Sequence, residues 1–256
     1  MNVRTGREAE NRETAAAGIR ELAARGAVLG VLPELWSSGF DYADLEGHAR
    51  RFPDLVAFLS ATAREHGICL AGSLPEYTEQ GIHNTLVMVD ADGEYLGGYR
   101  KIHLFTKTGE HLHFASGDAP VLLRTSLGLA GLMICYDLRF PELCRGLTIA
   151  GAKLVIVAAQ WPAARKHHWD ALLQARAIEN QIFIIGVNRV GKDGDTLFSG
   201  HSAIISPNGE ILSFSADRPE AASAVISFAG QQKLRDLIPC LRERRPHVYG
   251  RDADER

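Results

Sequence analysis

No stretch of this sequence approaches the ~18 consecutive apolar residues that a membrane-spanning helix needs. The opening segment, MNVRTGREAENRET, is polar and holds no signal-peptide core. Cysteine is scarce: Cys69, Cys135, Cys144 and Cys240 are the only four, and none forms a C-x-x-C pair. That excludes a dense disulfide framework and fits reduced thiols in a cytoplasmic protein, most of them acting as small buried hydrophobes. An excess of one charge is missing as well. The formal net charge is −3, which gives no electrostatic reason to expect nucleic acid or an acidic membrane surface as partner. The one dense basic run, Arg242 to Arg245, lies in a polar tail and reads as a solvated or subunit-contacting face. Low-complexity linkers are absent too. The 256 residues, 46% hydrophobic, therefore read as one domain over 1–256. Its tail, 231–256, would pack on the body or on a partner subunit.

What is present is an alternation of helical and strand patterns. Residues 8–25 place Ala15, Ile19, Leu22 and Ala23 on one helical face, with Gly26 as the stop. The apolar run 27–32, closed by Pro33, reads as a buried strand. A helix over 53–66, stopped by Gly67, leads to the strand ICLAGSL. The hairpin NTLVMVD–ADGE–YLGGYR follows, turned by an Asp-Gly pair. The second half runs in similar order. LAGLMICYD reads as a strand, PELCRGLTIAG a helix, KLVIVAA a strand, HHWDALLQARAIENQ a helix and IFIIGVN a strand. The hairpin HSAIISP–NGE–ILSFS completes it. Two helix–strand sets, each capped by a hairpin, point to an α/β fold of two mixed sheets stacked face to face with helices outside.

Three residues could carry chemistry, and each has a bland alternative. Cys135 ends an apolar strand before a turn and helix, a placement that exposes a nucleophile. A thiol with a pKa near ~8.5 still needs a base or cation beside it, and a lone cysteine can equally be a buried structural thiol. Glu34 follows another buried strand, where a carboxylate is costly unless paired, or it is a loop acid at the surface. Lys101, after the first hairpin, suits a solvated surface as well as a site.

Taken together, LPELWSSGFD, YRKIHLF and ICYDLRFPEL resemble, in order and spacing, the three catalytic boxes of the nitrilase (carbon–nitrogen hydrolase) superfamily. The resemblance continues through WP…HWDALLQARAIENQ, NRVG and GHSAIISPNGE, and so covers nearly the whole chain. It implies a four-layer αββα sandwich, amide or nitrile hydrolysis without metal or cofactor, and a Glu34–Lys101–Cys135 triad. It also implies an accessory glutamate, Glu110, and a homodimer or larger homo-oligomer. Phe40, Trp161 and Phe198 fall at pocket-wall positions, with plain core packing as the alternative for each, and the backbone N–H of Tyr136 at an oxyanion position. The segments EHLHFASG, AAQWPAARKHHW and NRVGKDGDTLFSGHS resemble the omega-amidase branch, whose substrates are amides of 2-oxo acids such as 2-oxoglutaramate. Other aliphatic or N-carbamoyl amidases, and a silent binding protein on the same fold, are the alternatives.

The histidines offer a competing class. His111 and His113 form an H-x-H pair and His167 and His168 are adjacent, as in some metal sites, but no third ligand falls at a recognisable spacing. Asp137, Arg139 and Glu142 are expected to form a charge network around the nucleophile turn. Family members also open with an apolar strand ahead of the segment that begins here at Met1. The expectation is that this strand is absent and that its neighbours are left uncovered.

Overall fold

The computed structural model describes residues 1–249. Helix α1 (Glu8–Ala24) carries Glu8 and Glu10 in its first turn, where they suit the positive end of the helix dipole, and buries Ala15 and Ile19. The first sheet follows as β1 (Leu29–Val31), β2 (Cys69–Thr78), β3 (Gly81–Val89) and β4 (Tyr95–Arg100), in that spatial order. β1 and β2 run parallel and the other pairs antiparallel. Between β1 and β2 the chain makes α2 (Leu45–Arg50) and α3 (Phe52–His66), the latter ended by Gly67 in the left-handed region. Leu55, Leu59 and Ala63 of α3 join Ala15 and Ile19 of α1 in a cluster with Leu70, Leu74, Val87 and Val89 of the sheet.

The second sheet uses β5 (Leu122–Thr125), β6 (Gly128–Ile134), β7 (Leu154–Ala159) and β8 (Phe183–Asn188). After a small hairpin of β9 (Val190–Asp193) and β10 (Thr196–Ser199), it is completed by β11 (Ser202–Ile205) and β12 (Ile211–Ser215). Its spatial order is β12-β11-β8-β7-β6-β5, with β6, β7 and β8 parallel. All six residues of β7, LVIVAA, are buried, as expected of a central parallel strand covered on both faces. Helices α4 (Pro141–Ile149) and α5 (Lys166–Asn180) pack Leu147, Trp169 and Leu173 onto this sheet. Gly186 of β8 makes room for them: a Cβ there would lie 2.6 Å from Leu173 Cδ1 and force that side chain to shift. Ala71, Leu86, Met88 and Tyr99 of the first sheet share one cluster with Leu132, Ile134, Val155 and Val157 of the second. The sheets are therefore stacked, with helices outside them.

Most expected elements are found with shifted ends. The strand expected over 27–32 is only Leu29–Val31, and the one expected to run through Asp137 stops at Ile134. Both hairpins close at their Gly turns, with Asp90 N donating to Glu94 O (2.9 Å) and Ser206 N to Glu210 O (2.8 Å). The tail expectation is met in part. In α6 (Phe228–Leu237), Gln231 is buried and donates to the carbonyls of Lys153 (3.0 Å) and Gln181 (3.2 Å). The end of the tail, 250–256, lies outside the described residues.

Among the described residues β1 pairs along one edge only, with β2. Beside it is a cavity of about 830 Å³ lined by Val28, Leu29, Ile185, Ile204, Val225 and others. Residues 1–7 do not form a strand there. Asn2 makes a single bridge with Val190, and Met1 O accepts from Val190 N (3.1 Å).

Candidate active site

Glu34 lies three residues beyond β1, on a segment that Ser73 of β2 holds from two sides. Leu35 N donates to Ser73 Oγ (2.7 Å) and Trp36 N to Ser73 O (3.2 Å). Leu35 sits at φ 44°, a left-handed conformation that costs energy for a branched residue. The segment is thereby turned so that Glu34 is fully buried. Lys101 follows β4, its N–H bonded to Asn84 O (2.9 Å) and its carbonyl to Gly117 N (2.8 Å). Glu110 opens a short 3-10 turn after the left-handed Gly109.

These three side chains meet. Lys101 Nζ donates to Glu34 Oε1 (2.8 Å) and to both oxygens of Glu110 (2.8 and 3.0 Å), and all three residues are at most 1% exposed. Glu34 Oε1 also accepts from Asn84 Nδ2 (2.8 Å), Glu34 Oε2 from Gln160 N (2.9 Å), and Glu110 Oε2 from Phe105 N (2.7 Å). Breaking a buried pair by removing one partner typically costs ~3–5 kcal/mol, so each member depends on the others.

Cys135 begins a 3-10 turn (Cys135–Arg139) where β6 ends, and has φ 45°. Asp137, fully buried, pins that turn. It accepts from Ile134 N (2.9 Å), Tyr99 Oη (2.8 Å) and His103 N (3.0 Å), and it bonds His103 Nδ1 (2.7 Å). Asp137 therefore pairs with His103 and not with Arg139. Arg139 instead lies 4.7 Å above the Trp161 ring with its Nη2 3.2 Å from His168 Nδ1, and Glu142 is exposed. Among the described residues the expected Asp137–Arg139–Glu142 network is not formed, because the nucleophile turn directs the three side chains to different surroundings.

The electrostatics follow from burial and charge. Burial pushes Glu34 above the usual carboxylate range; Lys101 opposes the shift and Glu110 adds to it. Burial works against the Lys101 charge, but Glu34 and then Glu110 overcome it and hold the ammonium well above its ordinary pKa. The Cys135 thiol is also pushed well up, first by burial and then by the Glu34 charge, with Lys101 opposing. The resting state is a thiol beside a raised carboxylate and a locked ammonium. Such a set can take a proton from sulfur at the moment of attack.

Around this centre, Tyr136 packs between Phe105 (4.9 Å) and Phe140 (5.3 Å). Trp161 is buried against Trp169 (5.6 Å), and its backbone N–H donates to Asn188 Oδ1 (2.7 Å). Phe40 packs with Leu35, Leu45 and Phe114. Phe198 is buried under the Arg189 guanidinium (4.5 Å), and Arg189 reaches Gln160 Oε1 (2.8 Å). Those contacts place Phe198 behind the Glu34 support. Sequence reasoning missed Asn84, Gln160 and Tyr42. Tyr42 stacks on His113 (3.9 Å), and its pKa is raised by burial and then by the charges of Glu110 and Glu34, so it lies beside the centre. In the sequence none of these carries a stronger signal than a polar residue near a strand end. His111 and His113 are exposed, and among the described residues no group of three or more His, Cys, Asp or Glu side chains is placed to hold a metal.

Comparison with known proteins agrees with this arrangement. Over 221 residues, covering 86% of this chain and 85% of the relative, the sequence is 36% identical to the 2-oxoglutaramate amidase of Bacillus subtilis (strain 168). It is 38% identical over 212 residues, 82% of this chain and 81% of the relative, to the omega-amidase YafV of Escherichia coli (strain K12). A solved amidase from Nesterenkonia sp. AN1, a variant with acrylamide added at its active-site cysteine, superposes with a TM-score of 0.87 at 26% identity, covering 97% of this chain and 95% of that one. Residues 1–235 match the carbon–nitrogen hydrolase family. The chain belongs to that family, and is a hydrolase acting on carbon–nitrogen bonds other than peptide bonds.

Proposed function

We propose that Cys135, Glu34 and Lys101, with Glu110 as accessory, hydrolyse the terminal amide of a small 2-oxo acid such as 2-oxoglutaramate. The observation that carries this reading is the buried Glu34–Lys101–Glu110 ion cluster, coupled by charge to a cysteine held at φ 45°. Glu34 takes the proton of Cys135 as sulfur attacks the amide carbon. One Lys101 N–H bonds Glu34 and a second forks to Glu110, leaving the third for the oxyanion, which the backbone N–H of Tyr136 would share. Losing one such donor costs ~10²–10³ in rate. Glu34 then gives the proton to the leaving nitrogen, ammonia departs, and a thioester remains on Cys135. Water, deprotonated by the same Glu34, cleaves the thioester, giving the carboxylic acid and restoring the thiol. The names of the two amidase relatives support the substrate class.

The four cysteines are free, which supports a reducing, cytoplasmic setting. The exposed apolar residues Ile149, Ile178, Leu237 and Ile238 support a homodimer or larger assembly. The core cluster shared by the two sheets supports reading 1–256 as one domain. Steady-state ammonia release from a panel of 2-oxoglutaramate, glutamine, asparagine, a simple aliphatic amide and a nitrile tests the activity. If 2-oxoglutaramate is turned over no faster than the simple amide, the substrate class is wrong; if no amide releases ammonia, a silent binding protein is the better reading.

A further inference from the structure

Arg165 stands where β7 has ended and α5 is about to begin, in the segment WPAAR. Its carbonyl accepts from Trp161 Nε1 (2.9 Å), which fixes the backbone against a buried ring. Its guanidinium lies 5.5 Å from the centroid of Phe105. Phe105 belongs to the site twice over. Its N–H bonds Glu110, and its ring touches Tyr136, the residue after Cys135.

Arg165 differs from the other arginine nearby. Arg139 is occupied by Trp161 and His168. Arg165 is half-buried, yet among the described residues its side chain makes no hydrogen bond and meets no carboxylate, so its five N–H donors remain free. Stacking on an aromatic face orients the guanidinium plane without using those donors. The surroundings add positive charge. The first turn of α5 contains no acid and begins Lys166, His167, although acids are what the positive end of a helix favours. Arg165 and Lys166 thus lie at the positive end of α5 with no acid in its first turn.

We infer that Arg165 is the receptor for the carboxylate at the far end of the substrate, binding it in a fork while the amide carbon lies at Cys135. This rests on the reading of the substrate as an oxo-acid amide and goes beyond it by assigning the residue that selects the acid. A forked guanidinium–carboxylate pair matches the planar geometry of both groups. Such a pair would impose a requirement for a free acid that the apolar rings of Phe40, Phe105 and Trp161 could not impose.

The test compares kcat/KM for 2-oxoglutaramate with that for 4-oxopentanamide, a neutral amide lacking the acid, in wild type, Arg165→Gln and Arg165→Lys, with circular dichroism to verify folding. The acid-to-neutral preference should fall about 10- to 100-fold in Arg165→Gln, chiefly through KM. Arg165→Lys, which keeps the charge but loses the fork, should lie between. As an independent readout, inhibition of wild type by glutarate should weaken by a similar factor in Arg165→Gln. Wild-type enzyme that prefers the acid, with variants that keep the full preference, would overturn the Arg165 assignment and leave the activity standing. Wild-type enzyme with no preference for the acid would overturn both, since there would be no anion to receive.

Discussion

Glu34 and Gln160, 126 residues apart, are joined by two hydrogen bonds: Gln160 N donates to Glu34 Oε2 (2.9 Å), and Gln160 Nε2 to the Glu34 carbonyl (2.8 Å). Glu34 follows β1 of the first sheet and Gln160 follows β7 of the second, so the pair ties the base to the opposite layer. Gln160→Leu removes the side-chain bond, leaves the buried Glu34 carbonyl without that donor and takes one acceptor from Arg189. Such a loss typically costs ~1–3 kcal/mol. Expected are a lower thermal midpoint and a kcat reduced about tenfold or more as the carboxylate loses its aim. Unchanged kcat in a folded variant would show that Glu34 is held without Gln160.

A second prediction concerns pH. Activity needs Glu34 as a carboxylate, and burial raises its pKa above the ordinary range. The acid limb of kcat/KM should therefore lie above the usual glutamate value. The sign for stability is the opposite of the common carboxylate case. A raised folded pKa means the folded state holds the proton more tightly, so this contribution is present below the unfolded pKa and is lost as pH rises through the folded one. Glu34→Gln should abolish turnover and flatten that component of the stability profile. An acid limb at or below the pKa of free glutamate would contradict the role of Glu34.

Thiol chemistry gives a third prediction. Burial pushes Cys69 up to about 11 and Cys144 to about 12; the Cys135 thiol is raised as well, but its residue is less buried than those two and the Glu34 base is there to take its proton at the moment of attack. Iodoacetamide should label Cys135 first, at the rate at which activity disappears, while Cys135→Ala should fold and show no turnover. Single alanine variants at Cys69, Cys144 and Cys240 should keep most activity. Loss of activity with Cys135 unlabelled, read by peptide mass spectrometry, would move the nucleophile elsewhere.

The sequence carried the fold well where local chemistry dictates structure. Asp92-Gly93 and Asn208-Gly209 each supply a turn that closes as expected, and the apolar run LVIVAA can only be a covered strand. It carried less where structure comes from distant partners. The hairpin of β9 and β10, built on polar residues around Lys192 and Asp195, has no apolar alternation to betray it. Cys135 was expected at a strand end and lies in a 3-10 turn instead, because Asp137 draws Ile134 N, Tyr99 and His103 together from separate elements. The acids and the lysine of the site were legible from their motifs. Asn84 and Gln160 were not, since an amide inside a sheet signals nothing until its partner from the other half of the chain is in place.

The last prediction uses the free edge of β1. That edge borders the cavity of about 830 Å³, where Val28 is 58% exposed and Val225 96% exposed. Met1 lines the same cavity, its ammonium held below the ordinary pKa by burial and then by the charge of Arg189. An extended segment fused ahead of Met1 would therefore enter alongside β1, where unpaired backbone groups and apolar side chains are both available. Each apolar side chain fully buried is worth ~1.5–3 kcal/mol before entropy is subtracted, and ~1 kcal/mol moves the midpoint of a domain this size by ~2–4 °C. A fused strand of alternating valine and threonine should raise the thermal midpoint by several degrees relative to a Gly/Ser segment of equal length. Replacing its central residues by proline, which removes donors from the ladder, should cancel the gain. Because Glu34 follows β1, kcat should rise with the midpoint. Equal midpoints for the valine–threonine and Gly/Ser fusions would show that the groove does not accept a strand.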